Sequence, residues 1–158
     1  TFNSQDSKLS IASDSEYYNK APMFHVTNTQ VSINLDNTEL SFGSNILLNV
    51  SGQDQWGTNG ANGGITQFTV NNEKLTGDII IDSISSLNFN LKNSNYSGCI
   101  NPSDSFGNTN ITIETGSTWT LTGNSHINGL NNQGTIEYGD YTLYVNGQAY
   151  TASNPYKG

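Results

Sequence analysis

Apolar residues along this chain recur in short segments in which every second position is apolar. Because successive side chains of a strand point to opposite faces, this period of two predicts β-strands with one apolar face. The intervening positions are mostly Ser, Thr and Asn, which gives each strand a polar face as well. The segments, which start 22, 37, 19, 24 and 25 residues apart, are Leu9–Ile11, Val31–Leu35, Phe68–Val70, Leu87–Leu91, Ile111–Ile113 and, less regularly, Ile136.

A second apolar element follows most of these segments, after a turn that contains glycine. Glycine suits the turn because it adopts positive φ without a side-chain clash. The longest step contains a glycine-rich insertion at residues 52–64, which no strand could accommodate. The turns and second elements are Leu40–Gly43 before Ile46–Leu48, Leu75–Gly77 before Ile79–Ile81, Tyr96–Gly98 before Cys99–Ile100, and Trp119–Gly123 before His126–Ile127.

Short strands at this period belong either to the hairpins of a β-sandwich or to the coils of a solenoid. Hairpins favour two-residue Asn-Gly loops, and outside the insertion the chain has only Asn128-Gly129 and Asn146-Gly147. Repeats of about 20–25 residues match solenoid coils, which bury a shared interior with few apolar residues each. We therefore predict an all-β fold, a right-handed parallel β-helix (β-solenoid) of this repeat length, with the sandwich as the alternative.

The solenoid prediction also assigns the interior and the corners. Asn at the corners is expected to stack in ladders from one coil to the next. The predicted interior residues are Leu9, Ile11, Ile33, Leu35, Leu40, Phe42, Leu48, Phe68, Val70, Leu75, Ile79, Ile81, Leu87, Phe89, Leu91, Ile111, Ile113, Trp119, Leu121, Ile127, Leu143 and Val145.

Residues 1–158 are predicted to form a single β-helix domain or a fragment of one. The Tyr-rich residues 136–158 are expected to seal the C-terminal end, whose strand edges would otherwise be unpaired. Nothing comparable guards Thr1. We therefore expect the helix to continue upstream in a longer chain or to stack end to end on another copy.

Composition and charge exclude several partners. Asn (24), Ser (19), Thr (17) and Gly (16) fill 76 of the 158 positions, and the net charge is −8 with five lysines and no arginine. Such a chain cannot neutralise a row of phosphates, which argues against nucleic acid and against an anionic membrane surface. No apolar run approaches a bilayer span, which argues against membrane insertion. The single Cys99 excludes an internal disulfide.

Catalysis is not expected from the residues that could supply it. A polysaccharide lyase needs a base and positive charge to stabilise an enolate, and the repeats hold only Lys74 and Lys92. A glycosidase needs two carboxyl groups about 5–9 Å apart, whereas Asp78 and Asp82 are spaced about 13 Å along one strand. The prediction is that the protein is not an enzyme, and a lyase or hydrolase is the least favoured alternative.

The glycine-rich insertion is the most site-like feature of the sequence. A Trp ring stacks on the C–H groups of a sugar while nearby amides bond its hydroxyls, and loops on a rigid trunk often carry binding. The alternative is that the loop folds Trp56 onto the flank of the solenoid. The predicted carbohydrate-binding residues are Trp56, Gln55, Asn59, Asn62 and Asp54 in the loop, together with Tyr96.

Calcium would need several oxygens that converge. The chain has no Asp-x-Asp-x-Asp motif and no glycine-rich calcium repeat, so no cofactor is predicted from a motif. Residues one coil apart in a solenoid become neighbours, which makes Asp78, Asp82 and Asp104 the candidate calcium ligands.

The succession from Gln55-Trp56-Gly57 to Asn62-Gly63-Gly64, followed by residues 75–87, resembles a bacterial surface family of carbohydrate-binding-domain β-helices found notably in clostridia. The similarity continues through residues 91–98, 117–123 and 126–127 and covers roughly residues 20–145, the C-terminal half of that domain. The resemblance implies a parallel β-helix shaped like a pectate lyase. It also implies binding of acidic or cellulosic polysaccharide, with calcium in some members and without catalysis.

Together these observations predict a non-catalytic polysaccharide-binding or adhesion module, extracellular or on a bacterial cell surface. The structural alternative is a β-solenoid stalk or fibre subunit that stacks on itself or presents other domains.

Overall fold

A computed structural model describes all 158 residues as β-strands, turns and loops. No segment forms a helix with the length and apolarity that a bilayer crossing requires. The strands are β1 Phe2–Ser10, β2 Phe24–Val26, β3 Gln30–Ser41, β4 Ile46–Val50, β5 Ile65–Asn71, β6 Lys74–Thr76, β7 Asp78–Ile81, β8 Ser86–Lys92, β9 Asn95–Ser97, β10 Asn108–Ile113, β11 Thr118–Thr120, β12 Ser125–Ile127, β13 Gly129–Asn132, β14 Thr135–Glu137, β15 Leu143–Val145 and β16 Gln148–Tyr150.

Parallel pairing dominates the four sheets that these strands form. Sheet A has the order β1-β3-β5-β8-β10-β13, sheet B β2-β4-β7 and sheet C β6-β9-β11-β14, and every neighbouring pair in them is parallel. Sheet D pairs β12 with β15 in parallel and β15 with β16 antiparallel. The predicted parallel, all-β character is confirmed and is consistent with a β-solenoid, whereas a sandwich of hairpins is excluded.

Equivalent positions in sheet A recur in sequence order. The apolar pattern places Leu9 level with Val31, and Ile136 level with Ile111, in successive repeats. In the structure Leu9 pairs with Leu40 instead, and Ile136 pairs with Trp119 in sheet C. Strand β1 is mostly polar, so its apolar residues do not reveal its register. The row that does align in sheet A is Phe2, Ile33, Phe68, Phe89, Ile111 and Leu130, with steps of 31, 35, 21, 22 and 19 residues.

The buried core follows the predicted alternation. Most predicted interior residues are buried, including Trp119, whose Nε1–H donates to the carbonyl oxygen of Gly98 at 3.0 Å. Phe68 and Phe89 stack in adjacent strands with ring centroids 4.9 Å apart. Each fully buried large side chain contributes about 1.5–3 kcal/mol. Four predicted interior residues are only half-buried, and all lie in the first part of the chain: Leu9, Ile11, Leu40 and Phe42.

Asparagine and aspartate line, as predicted, a corner that lies within β1 and β3 and directly after β5 and β8. They adopt the left-handed conformation that Asn and Asp tolerate best. The Asn37 amide donates to Asp6 Oδ1 at 2.7 Å, and the Asn93 amide donates to Asn72 Oδ1 at 2.5 Å. The four residues, with φ of 48°, 52°, 54° and 44°, are Asp6, Asn37, Asn72 and Asn93.

A second row of side chains lies buried just inside this corner, and we call it the corner ladder: Thr38, Glu73, Ser94 and Ser117. Thr38 N–H donates to Glu73 Oε1 at 2.7 Å, Glu73 N–H to Ser94 Oγ at 3.0 Å, and Ser94 N–H to Ser117 Oγ at 3.2 Å. The side-chain oxygens of Glu73, Ser94 and Ser117 thus each satisfy a backbone N–H of the preceding repeat, which would otherwise be buried without a partner.

Residues 136–158 pack over the last strands through tyrosines. Tyr156 donates its hydroxyl to the carbonyl oxygen of Leu130 at 2.9 Å, and its N–H donates to the hydroxyl of Tyr138 at 2.9 Å. The rings of Tyr150 and Tyr156 meet edge to face at 5.1 Å. The antiparallel strand β16 covers the free side of β15.

Replacing Ser94 by alanine tests the corner ladder, because it removes the acceptor of the buried Glu73 N–H. An unsatisfied buried donor costs about 1–3 kcal/mol, and we expect the free energy of unfolding in urea to fall by that amount. Ser97→Ala, the same change at a half-buried position of β9, is the matched control and is expected to cost no more than about 0.5 kcal/mol. Equal losses in the two variants would contradict a stabilising role for the ladder.

Candidate functional site

We call the body formed by the four sheets the trunk. The glycine-rich insertion, residues 52–64, leaves it at the corner between β4 of sheet B and β5 of sheet A. Both of its stems are fixed by side chains of the following repeat. Gly52 N–H donates to Asp82 Oδ2 at 2.8 Å, and Gly64 N–H donates to Ser85 Oγ at 3.0 Å. A Cβ on Gly63 would lie 2.2 Å from the carbonyl oxygen of Ile84, so only glycine fits this close approach. The loop therefore starts and ends at defined points.

Asn62 holds the interior of the loop together. Its side chain is 1% exposed, and its Nδ2 donates to the carbonyl oxygens of Gln53 at 2.6 Å and Trp56 at 2.8 Å. The backbone carbonyl oxygen of Asn62 accepts from Asn28 N–H at 2.9 Å. The prediction that the Asn62 amide binds sugar hydroxyls is therefore wrong, because both its donors are used inside the loop.

Trp56 lies on the outside of the loop with 62% of its surface exposed, so the loop does not fold the ring onto the flank of the trunk. Asp54, Gln55 and Asn59 are exposed beside it. Two more large apolar side chains, Ile65 and Ile84, are 53% and 42% exposed at the same corner. We call Trp56, Ile65 and Ile84 the apolar rim.

Tyr96 cannot act as a stacking surface for a sugar. Its ring is 1% exposed in the core, between Phe89 at 5.5 Å and Trp119 at 6.2 Å. Its hydroxyl donates to the carbonyl oxygen of Cys99 at 3.1 Å. Burial raises the pKa of this hydroxyl well above its ordinary value, which keeps it neutral. Tyr96, which was predicted to bind carbohydrate, is therefore a residue of the core.

Cys99 also belongs to the interior rather than to a reactive site. Burial, together with the nearby charge of Asp78, raises the pKa of its thiol to about 12. A thiol that stays protonated is a poor nucleophile, so Cys99 packs as a small apolar side chain.

The three predicted calcium ligands do not converge. Asp78 accepts from Cys99 N–H at 3.1 Å, and Asp82 accepts from the N–H groups of Gly52 and Ile84. Asp104 lies in an exposed loop, residues 102–106. No three His, Cys, Asp or Glu side chains are grouped as metal ligands would be. The carboxylates of Asp78 and Asp82 therefore accept hydrogen bonds from the backbone at corners of the chain.

The outward face of sheet A is an ordered polar surface, which the sequence patterns did not single out as a binding site. We call it the polar face. Its side chains are already joined across strands, since the Asn34 amide donates to Asn3 Oδ1 at 2.8 Å and the Asn71 amide donates to Asp36 Oδ1 at 3.1 Å. Its residues are Asn3 and Gln5, Ser32, Asn34 and Asp36, Gln67, Thr69 and Asn71, Asn88, Asn90 and Lys92, Asn110, Thr112 and Glu114, and Asn131.

The polar face is long, shallow and nearly neutral. Six strands about 4.8 Å apart span about 24 Å, and alternate residues along each strand lie about 6.7 Å apart. Lys92 bridges to Glu114 at 3.6 Å, which leaves Asp36 as the remaining charge. An open groove of about 600 Å³ crosses it beside Thr69 and Asn71. Amides and hydroxyls at these spacings both donate and accept hydrogen bonds, as sugar hydroxyls do.

No family model matches this chain, and neither the curated proteins nor the solved structures contain a match to it. The function is therefore argued from the surfaces themselves.

Glu73 is the one carboxyl group of the corner ladder, and it is 4% exposed. Burial raises its pKa above the ordinary value, the hydrogen bond from Thr38 N–H opposes the shift, and the charge of Asp36 adds to it. A carboxyl group whose pKa is raised by folding stabilises the fold most below its unfolded pKa. That stabilisation is lost as the pH rises through the folded pKa.

Glu73→Gln is therefore expected to be more stable than the natural chain at pH 7, because the amide oxygen still accepts from Thr38 N–H and carries no charge. The advantage should shrink as the pH falls toward 4, where Glu73 is protonated. Urea unfolding across this pH range measures the difference, with the exposed Glu16→Gln as the control that shows no such trend. An advantage that is independent of pH would contradict the assigned cause.

Proposed function

We propose that the chain is a right-handed parallel β-helix of about 20–25 residues per coil that acts as a non-catalytic polysaccharide-binding or adhesion module on a bacterial surface. In this proposal the polar face of sheet A is the binding surface and the apolar rim borders it. The observation that carries the proposal is the polar face itself, a six-strand array of amides and hydroxyls linked to one another across strands.

Cross-strand hydrogen bonds favour binding because they fix the side chains in advance. Asn34 and Asn71 each use one donor within the array, which leaves the second amide hydrogen for a ligand. Side chains that are already ordered lose less conformational entropy when a ligand binds. A polymer laid across the strands would meet an amide or hydroxyl side chain at each repeat, along the row Asn3, Asn34, Thr69, Asn90, Thr112 and Asn131.

Charge favours a neutral glycan, such as a cellulosic chain, over an acidic one. The net charge of −8 repels polyanions at long range. On the polar face Lys92 is already paired with Glu114. A uronate would therefore meet Asp36 without a free cation nearby.

The carboxylates of the polar face do not suit glycoside hydrolysis. Asp36 and Glu114 lie three strands apart, about 14 Å, and hydrolases of either stereochemistry hold their two carboxyl groups within about 9.5 Å. This spacing supports a binding role over a catalytic one.

Gln67 and Asn88 occupy neighbouring, exposed positions in the middle of the polar face. We expect Gln67→Ala with Asn88→Ala to weaken retention on a soluble cellulose derivative roughly thirtyfold, since two lost hydrogen bonds at about 1 kcal/mol each cost about 2 kcal/mol. Affinity electrophoresis with and without calcium, on this polymer and on polygalacturonate, measures retention. The matched control is Asn95→Ala with Thr135→Ala on the outer face of sheet C, which should leave retention unchanged.

Trp56→Ala is the second variant in the same assay and should reduce retention without changing the melting temperature, because the ring is exposed. Unchanged retention in both the Gln67/Asn88 and Trp56 variants would overturn the proposed surface. Retention on polygalacturonate alone would overturn the preference for a neutral glycan.

The stalk alternative is favoured by one observation, the one-sided pairing of β1. This nine-residue strand pairs with β3 alone, so its other edge offers free backbone groups. At the other end of the trunk, β16 and the Tyr156 contacts cover β15 and β13. Growth of the sedimentation coefficient with concentration would support stacking through β1, and a constant monomer value would contradict it.

A further inference from the structure

A second concave surface lies on sheet D, on another side of the trunk from the polar face. It is an open pocket of about 620 Å³ between the 102–106 loop and the turn that joins β15 to β16. Pockets that bind small molecules have volumes of about 300–1,000 Å³. Its lining includes Ser103, Asp104, Phe106, His126, Tyr144 and Gly147.

Aromatic rings form one side of this pocket. His126 and Tyr144 are opposite each other in β12 and β15, with ring centroids 4.6 Å apart and planes within 3°. Phe106 lies 6.1 Å from His126 at an angle of 40°. The parallel pair and the tilted Phe106 thus line one open space in two orientations, which offers aromatic surface to a ligand.

The polar groups of the pocket are acceptors and hydroxyls. His126 Nδ1–H donates to the carbonyl oxygen of Asn101 at 2.8 Å, so the neutral ring keeps Nε2 as an acceptor. Asp104 adds a carboxylate and Ser103 a hydroxyl, and the lining contains no lysine. The lining offers an anionic ligand no cationic side chain, and the Asp104 carboxylate would repel it, whereas ligand hydroxyls would find several acceptors.

The loop that walls the pocket is held rigidly at both ends. The buried Asn101 accepts from Ile81 N–H at 2.8 Å and donates to Thr109 Oγ1 at 3.1 Å. At the other end, a Cβ on Gly107 would lie 2.0 Å from the carbonyl oxygen of Ser85, so the backbone fits closely there. Phe106 is therefore positioned before any ligand arrives, which lowers the entropic cost of binding.

We propose that this pocket binds a single neutral pyranose ring. The C–H face of the sugar packs on Phe106, and its hydroxyls donate to Asp104 and to His126 Nε2. A carboxylate that accepts from hydroxyls, with no cation beside it, favours a neutral sugar over a uronate, whose own carboxylate it would repel. The proposal does not depend on the polar face, since the two surfaces share no residues.

Titration of the ¹⁵N-labelled chain with methyl glucoside, methyl galactoside and methyl galacturonoside tests this inference. At least one neutral glycoside should shift the amide signals of residues 103–106, 126 and 144, with a Kd on the order of 1 mM, and the galacturonoside should not. Phe106→Ala should weaken binding at least tenfold. Tyr141→Ala, which removes an exposed tyrosine outside the pocket, should leave it unchanged.

The inference is overturned if no neutral glycoside shifts these signals, if the galacturonoside binds as tightly, or if Phe106→Ala binds like the natural chain. Its failure is separable from failure of the proposed polysaccharide surface. The Gln67→Ala and Asn88→Ala variant should keep the pocket shifts while it loses retention on the polymer.

Discussion

At each corner of this chain the backbone leaves one sheet before it enters the next, and its N–H groups lose their strand partners there. Eight such groups are satisfied in the same way, by a side-chain oxygen that lies 19 to 35 residues later: Thr38 N by Glu73, Gly52 N by Asp82, Gly64 N by Ser85, Glu73 N by Ser94, Ile81 N by Asn101, Ser94 N by Ser117, Ile100 N by Ser125 and Thr109 N by Asn128. A buried N–H without a partner costs about 1–3 kcal/mol. The spacing between a donor and its acceptor therefore links the length of one repeat to the register of the next.

The same bonds decide where the chain can carry a site. Asp82 and Ser85 fix the stems of the 52–64 loop, while Asn101 fixes one end of the 102–106 loop. The 52–64 loop thus leaves the trunk at points that the following repeat fixes, and the 102–106 loop begins beside a residue bonded to the preceding repeat. Variable loops on a rigid trunk can thus present side chains such as Trp56 and Phe106 in defined positions, although neither loop contains regular secondary structure of its own.

Much of the fold could be predicted from the sequence because one face of each strand is apolar. Phe68, Phe89 and Trp119 are buried where the alternation placed them. The site could not be predicted equally well, because amides that hold a loop and amides that bind a ligand have the same composition. Asn62 was predicted to bind sugar and is instead a buried support of the loop, whereas the sequence did not single out the amides of the polar face. Only the partners of each amide distinguish these roles.

The polar face and the pocket on sheet D differ in shape, yet neither offers a free cation to an acidic ligand. The polar face pairs its only lysine with Glu114, and the pocket contains none. Amides and hydroxyls exchange hydrogen bonds with sugar hydroxyls without the desolvation cost that a buried charge carries. A chain that builds its corners from Asn and Ser therefore covers itself with groups complementary to neutral sugars. On this argument the composition that satisfies the backbone also sets the chemistry of the proposed ligands.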